Sequence, residues 1–210
     1  MGNLVVSIGR QYGSGGREIG FKLAEKLGVT CYDKELLSIA AKESGLCEEI
    51  FELHDEKPTH SFLYNLVMDV NTMGYNTSGF VDMPINHKVF LAQFDSIKKL
   101  AEQESCVIVG RCADYALDNN DNLLSIFIHS NIETRVNRIA NKHNLTKEKA
   151  KDAIHKTDKK RASYYNYYTS KKWGEAKGYK LSIDSGMLGI DGTVDAIQQI
   201  IDVFIKSPNV

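Results

Sequence analysis

The sequence predicts an α/β fold in which helices cover both faces of a mostly parallel sheet. Two observations support this prediction: short apolar, β-branched runs recur along the chain, and amphipathic stretches with helical spacing separate them. This alternation predicts neighbouring parallel strands joined by right-handed crossovers. The 210 residues suffice for one globular domain, residues 1–210, with a sizeable core.

Five runs are predicted as strands because each is short, nearly continuous in apolar residues and bounded by glycine or polar residues. They are residues 4–8, 29–32, 106–110, 123–129 and 179–184. The first of them, LVVSI, leads directly into a glycine-rich segment.

Three helices are predicted from apolar residues spaced three or four apart, at residues 17–28, 88–103 and 193–205. Gly28 is a natural C-cap of the first helix, and Thr193 is the predicted N-cap of the last. The residues expected to face the core are Ile19, Leu23 and Leu27, then Phe90, Phe94, Ile97 and Ala101, then Ile197, Ile201 and Phe204.

Composition and charge exclude several classes of protein. A formal net charge of −1 gives no electrostatic basis for binding nucleic acid or an acidic membrane surface. No run approaches the ~20 apolar residues of a membrane span, and the N-terminal strand lacks the apolar core of a signal peptide. The four cysteines show no metal-ligand spacing, so a reduced cytoplasm is the expected compartment. The apolar helix at residues 88–103 could serve a homodimer or only the core.

Two stretches interrupt the alternation of strands and helices. Residues 47–86 are long, polar and aromatic, with glycine and asparagine interruptions, and are predicted to form an inserted subdomain. Residues 144–177 contain a charged helix followed by RASYYNYYTSKKWGEAKG and form the second such region.

The glycine-rich segment, SIGRQYGSGGREIG, follows the first predicted strand and opens the first predicted helix. Glycine lets backbone N–H groups approach a phosphate, and a helix N-terminus adds unpaired donors and partial positive charge. The segment lies at the carboxyl edge of the predicted sheet, where such folds bind ligands. A turn that only packs the helix on the sheet would explain one or two glycines, whereas GSGGR between two arginines favours a phosphate site.

This segment departs from the phosphate-loop consensus G-x-x-x-x-G-K-[ST]. With Gly15 as the second consensus glycine, Gly16 takes the lysine position and Arg10 that of the first glycine. With Gly16 as that glycine, Arg17 replaces the lysine and Glu18 the hydroxyl residue. Arg17 is predicted to supply phosphate charge, and Glu18 to be a carboxylate on the metal side or at the helix N-terminus. The Mg²⁺ ligands stay unassigned.

Two further cationic features accompany this loop. Arg111 follows a predicted buried strand directly, so its head group should emerge at the carboxyl edge of the sheet; the alternative is a surface arginine in a turn. A basic cluster at residues 156–161 ends in Arg161 and precedes YYNYY at residues 164–168. Such a cluster is usually a solvated helix face, but Arg161 is predicted to act from a lid, and the tyrosines are predicted to be mostly structural.

Four segments carry a resemblance to a known family: GRQYGSGGREIG, YDKELL, VIVGRCADYAL and DKKRASYYNYYT, in that order. Together they resemble the cytidylate kinase-like branch of the P-loop nucleoside monophosphate kinases. The resemblance implies a P-loop kinase fold with a five-stranded parallel sheet, a helical acceptor-binding insertion at residues 47–86 and a lid at residues 144–177. It also implies ATP and Mg²⁺ as cofactors and a nucleoside monophosphate as the phosphoryl acceptor.

The resemblance also implies roles for individual residues. It places Gly13, Ser14, Gly15, Gly16 and Arg17 in the cradle for the ATP phosphates. It implies that Arg111 grips the monophosphate, with Asp33 and Asp114 also on the acceptor side. Asp158 and Arg161 match an Asp-x-x-Arg near the lid, in which the aspartate contacts the sugar side and the arginine the phosphates.

Two departures bear on the expected function. Ile39 stands where the family would have an acceptor-binding arginine, which affects cytosine selectivity, and the loop lacks its lysine. The leading prediction is ATP-dependent phosphoryl transfer to CMP or dCMP, with Arg17, Arg111 and Arg161 as catalytic residues. The alternatives are a kinase for another small metabolite and a nucleotide-binding regulatory protein that has lost transfer activity.

Overall fold

A computed structural model describes residues 2–45, 48–56 and 84–206 of the chain. Most of the insertion predicted at residues 47–86 therefore lies outside the described residues.

Five strands form one sheet in the described part of the chain, in the order β2-β3-β1-β4-β5, and every neighbouring pair is parallel. The strands are β1 (Val5–Arg10), β2 (Thr30–Tyr32), β3 (Cys106–Val109), β4 (Leu123–His129) and β5 (Leu181–Asp184). This confirms the predicted five-stranded parallel sheet. The main difference is that β1 continues to Arg10, because Gly9 and Arg10 pair with Phe127 and Ile128 of β4.

Helices connect the strands and cover both faces of the sheet. The described helices are α1 (Gly16–Leu27), α2 (Glu35–Ser44), α3 (Glu48–His54), α4 (Ile85–Gln103), α5 (Ala113–Ala116), α6 (Ile132–His143), α7 (Lys147–Thr169) and α8 (Ser185–Lys206), with a 3-10 turn at Ala176–Gly178. None of the helices in the described ranges is long and apolar enough to cross a bilayer.

The core has one apolar layer on each face of the sheet. On one face, α1 and α8 bury Ile19, Leu23, Ile197 and Ile201 against β1 and β4. On the other face, α4 buries Ile97 and its neighbours against β1 and β3. The apolar face of α4 thus packs inside the chain. These are the residues that the helical spacing predicted for the core.

The start of the last helix differs from the prediction. The helix begins at Ser185 and breaks at Gly189, whose φ is 69°. Thr193 is therefore no N-cap: it lies inside the helix, fully buried, and donates a hydrogen bond to the carbonyl oxygen of Gly189. By contrast, Gly28 is left-handed and caps α1 as predicted, donating to the carbonyls of Ala24 and Glu25.

Candidate active site

The glycine-rich loop joins β1 to α1 at the carboxyl edge of the sheet. Gly13 and Gly15 are left-handed, with φ of 81° and 85°, and α1 begins at Gly16. Left-handed backbone favours glycine, so the sequence satisfies the geometry of the turn. A glycine that closes the loop directly before the helix corresponds to the first alignment, in which Gly16 takes the lysine position and Arg10 that of the first consensus glycine.

Side chains from distant parts of the chain hold this loop in place. Buried Ser14 donates from Oγ to the Gln11 carbonyl at 2.9 Å, and Ser185 Oγ donates to the Ser14 carbonyl at 2.5 Å. The Asp158 carboxylate accepts from the Tyr12 N–H at 2.7 Å. Asp158, predicted to contact a substrate sugar, thus lies against the glycine loop itself.

Two arginines of α6 also contact the loop, and the sequence reading did not identify them. Arg135 donates from Nη1 to the Tyr12 carbonyl at 3.3 Å and to Asp158 at 2.6 Å. Arg138 donates from Nη1 to the Gly13 carbonyl at 2.9 Å. Their spacing of three residues puts them on one face of the helix that follows β4, and this spacing is a signal that the sequence contains.

The turn after β3 has an unusual backbone. Gly110, Arg111 and Cys112 are all left-handed, with φ of 81°, 55° and 54°. Left-handed conformations are unfavourable for residues other than glycine and cluster at ligand sites, where the surrounding structure holds them in place. Here the turn points the Arg111 side chain back over the sheet edge, where it is 2 % exposed.

Three acceptors surround the Arg111 guanidinium. The Asp55 carboxylate accepts hydrogen bonds from both Nε and Nη2 of Arg111, at 2.6 and 2.9 Å, in a bidentate pair. Nη1 donates to Asp33 at 3.1 Å and to the Val109 carbonyl at 3.0 Å. Burial alone would lower the pKa of Arg111, but the charges of Asp55, Glu56 and Asp33 outweigh it and raise that pKa. Arg111 is therefore a fixed cation.

Asp33 links Arg111 to the first turn of α1. Its carboxylate accepts from Arg17 Nε at 2.6 Å as well as from Arg111. Burial opposes ionisation of Asp33, but Arg111 and Arg17 together lower its pKa. The Arg17 side chain is 57 % exposed, and its guanidinium lies 4.9 Å from the centre of the Phe21 ring. Glu18, in the same helical turn, is exposed.

A second ion-pair group centres on Glu56, just beyond α3. Its carboxylate accepts from Arg10 Nη1 at 2.9 Å and from Arg161 Nε at 3.2 Å. Arg161 also donates from Nη1 to the Arg10 carbonyl at 3.3 Å. Burial would raise the pKa of Glu56, but Arg10, Arg161 and Arg111 hold it well below its usual range. The sequence predicted only Arg161 of this group.

These groups line a small cavity beside the glycine loop. Its volume is ≈ 20 Å³, about the size of one water molecule. The lining includes Arg10, Glu56, Arg111, Asp114 and Arg161. Asp114 is buried and accepts from the Tyr165 hydroxyl at 2.6 Å, and burial raises its pKa. The structure thus brings three of the predicted site residues, Arg111, Asp114 and Arg161, to the lining of one cavity.

Two tyrosines of α7, Tyr164 and Tyr165, line one side of this cavity. Tyr164, Tyr165 and Tyr168 are buried in an aromatic cluster with Phe90 and Phe127. Tyr168 stacks on Phe90 with ring centres 4.0 Å apart. Their role is packing, as the sequence interpretation held. In the described ranges, no group of three or more His, Cys, Asp or Glu side chains is arranged to hold a metal ion.

The sheet order and the glycine loop give the chain the fold of a P-loop kinase. More specifically, the chain belongs to the cytidylate kinase-like family, whose model matches residues 5–187, and the resemblance inferred from the sequence is thereby confirmed. A comparison with curated proteins finds no match.

Solved structures agree with this fold. The chain is 29% identical to an uncharacterized protein from Eubacterium ventriosum ATCC 27560, with a TM-score of 0.70, over 95% of this chain and 99% of that one. It is 16% identical to shikimate kinase from Bacteroides thetaiotaomicron, with a TM-score of 0.53, over 95% and 98% of the two chains. The second likeness concerns the fold alone.

Proposed function

We propose that the protein transfers a phosphoryl group from ATP to a nucleoside monophosphate, with CMP or dCMP as the favoured acceptor. One observation carries the proposal: Arg10, Arg111 and Arg161 converge beside the glycine loop, and their partners are carboxylates. Converging arginines at a phosphate loop are what phosphoryl transfer requires, because its transition state spreads negative charge over several oxygens.

In this proposal the ATP phosphates lie on the glycine loop. The glycine loop, from Gly13 to Gly16, and the first turn of α1 provide backbone N–H donors. Two of these N–H groups already donate within the loop: that of Ser14 to the Gln11 carbonyl and that of Gly16 to Ser14 Oγ. Arg17 is exposed enough to reach a phosphate from the first helical turn, and Glu18 contributes a carboxylate at the same helix end. Mg²⁺ comes with ATP, since kinase sites hold this ion mainly through substrate phosphates and one or two carboxylates.

The acceptor phosphate is assigned to Arg111, whose planar guanidinium pairs with two oxygens at once, as it does with Asp55. Asp33 orients Arg111, and Asp114 lies on the same cavity wall for a polar group of the acceptor. Arg161 meets the charge on the transferring group. An acceptor oxygen forms the new bond to phosphorus while the bond to the ADP oxygen breaks, and no general base is needed because the acceptor phosphate is already ionised.

One observation favours a different phosphorylated acceptor as the second candidate. Ile39 packs against the apolar cluster formed by α2, α4 and α5. The position where the family would have an acceptor-binding arginine thus contributes to the core. A kinase that acts on another small phosphorylated metabolite would not need an acceptor-binding arginine at this position.

The test is ADP production from ATP and Mg²⁺, with CMP, dCMP, UMP, AMP and GMP offered separately. We expect turnover with CMP or dCMP, and a loss of about 10²- to 10³-fold in kcat for Arg111→Ala. Lys26→Ala, which removes an exposed pair with Asp195, is the control and should retain activity. ATP binding without ADP formation from any acceptor would refute the nucleotide-acceptor proposal and favour another acceptor or a regulatory nucleotide-binding protein.

A further inference from the structure

The position of the missing lysine is closely packed against Arg10. A Cβ atom built on Gly16 would lie 2.5 Å from the Arg10 Cβ and 3.4 Å from the Ile128 Cβ. Gly16 does not need a left-handed backbone, so contact with Arg10 is the reason that a side chain does not fit there. The arginine at the first consensus glycine and the glycine at the lysine position are thus sterically coupled, because the Arg10 side chain leaves no room for a side chain at position 16.

The Arg10 guanidinium is held inside the candidate site. Its side chain is 9 % exposed, it lines the cavity, and its Nε atom is buried without a hydrogen-bond partner among the described residues. A buried, unpartnered guanidinium N–H is unfavourable unless a ligand or water completes its bonding. Gly110 leaves the space that the guanidinium occupies, because a Cβ there would overlap Arg10 Nη1.

Glu56 shows what kind of ligand this arrangement accepts. One oxygen pairs with Arg10 and the other with Arg161. A phosphoryl group offers the same two acceptor oxygens and one more, with higher charge, so it can replace a carboxylate between two guanidinium groups. The residue itself has φ of 48°, a left-handed backbone conformation that is unfavourable for residues other than glycine and that clusters at ligand sites.

We propose that Arg10 and Arg161 form a phosphoryl-binding subsite beside Arg111, in which Arg10 supplies the cation missing from the glycine loop and Glu56 occupies the phosphate position until substrate displaces it. The ligand of this subsite is a phosphoryl group of ATP, and this identification rests on the proposed function. Glu56 then acts as an internal competitor: the cavity has room for about one water while Glu56 is in place, so substrate binding requires its departure.

The experiment is calorimetric titration with inorganic phosphate and pyrophosphate. Removing the competing carboxylate in Glu56→Gln should lower the Kd for both ions by at least about tenfold. Adding Arg10→Gln in the same chain should abolish that gain. Glu43→Gln, which removes a carboxylate that pairs with Lys99 outside the cavity, is the matched control and should leave the Kd unchanged.

Two single variants cover the case in which Glu56→Gln fails to fold. Arg10→Gln and Arg161→Gln should each weaken pyrophosphate binding relative to the unmodified protein, while circular dichroism reports that the fold is retained. An unchanged Kd in Glu56→Gln, or in both arginine variants, would overturn the inference. Nucleotide turnover together with such unchanged Kd values would overturn the inference alone. Tighter phosphate binding in Glu56→Gln without turnover from any acceptor would overturn the proposed function and leave the subsite supported.

Discussion

The coupling between Arg10 and Gly16 can be measured directly as a double-mutant cycle with Gly16→Ala and Arg10→Gly. In the unmodified protein the new methyl group would lie 2.5 Å from the Arg10 Cβ, well inside van der Waals contact. That Cβ is fixed to the backbone of a central strand, so it cannot move away. Overpacking of this kind costs about 2 kcal/mol, or a fall in Tm of roughly 4–8 °C for a chain of this length.

In the Arg10→Gly background the same substitution should be nearly neutral. The next neighbour of the new methyl group, Ile128 Cβ, lies at 3.4 Å, close to an ordinary contact. Alanine is also a better helix former than glycine, by up to about 1 kcal/mol. We therefore expect a coupling energy of about 2 kcal/mol or more between the two positions.

Urea denaturation of the four proteins measures this coupling, provided that the m-values agree. If Gly16→Ala destabilises both backgrounds equally, within about 0.5 kcal/mol, the two positions are independent. Gly16 would then owe its identity to some other constraint, and the account of the displaced lysine would lose its structural basis.

Three further predictions concern residues of the candidate site. Gly110→Ala should reduce turnover, because the new methyl group displaces Arg10. It should also lower the free energy of unfolding by more than the cost of a left-handed alanine, which is about 1–2 kcal/mol. The control is Gly45→Ala, at φ of 72° with no neighbour within 4 Å, which should show only the backbone cost in parallel melts and assays. Glu56→Gln should destabilise by about 3 kcal/mol at neutral pH. Because the pKa of Glu56 is lowered in the folded protein, the difference in unfolding free energy between the unmodified protein and Glu56→Gln should become smaller as pH falls below about 4.3. Thermal melts at several pH values measure this difference. Asp158→Asn should raise the KM for ATP roughly tenfold in steady-state kinetics, since it weakens the bond to the Tyr12 N–H; an unchanged KM would contradict this role.

The fold was predictable because it depends on local patterns. Short apolar runs predicted the five strands, and apolar residues spaced three or four apart predicted the buried faces of α1, α4 and α8. The errors lie where tertiary contacts override local signals. Thr193 has the chemistry of an N-cap, but the helix begins earlier, at Ser185, whose hydroxyl donates to the Ser14 carbonyl of the glycine loop.

The site was only partly predictable from sequence. Arg111 and Arg161, which both line the cavity, could be selected from the sequence because each stands at the end of a recognisable pattern. Glu56 was not found, because it lies 46 residues from Arg10 along the chain and no local spacing connects the two. The role that we propose for Arg10 was also not predictable, since the consensus expects glycine there and only the structure shows how Arg10 packs against Gly16.

The charges around the cavity explain why a displaced cation suits this chemistry. The charged groups that line the cavity are Arg10, Arg111 and Arg161 and the carboxylates of Glu56 and Asp114, so positive charge exceeds negative charge by one among them. Replacing the single charge of Glu56 by the double charge of a phosphoryl group would balance them. A lysine at position 16 would approach the phosphates from the start of α1, whereas Arg10 approaches from the end of β1, on the side of Arg111 and Arg161. Under the proposed function, the missing lysine is therefore compatible with phosphoryl transfer, because Arg10 packs against Gly16 of the glycine loop and lines the same cavity as Arg111.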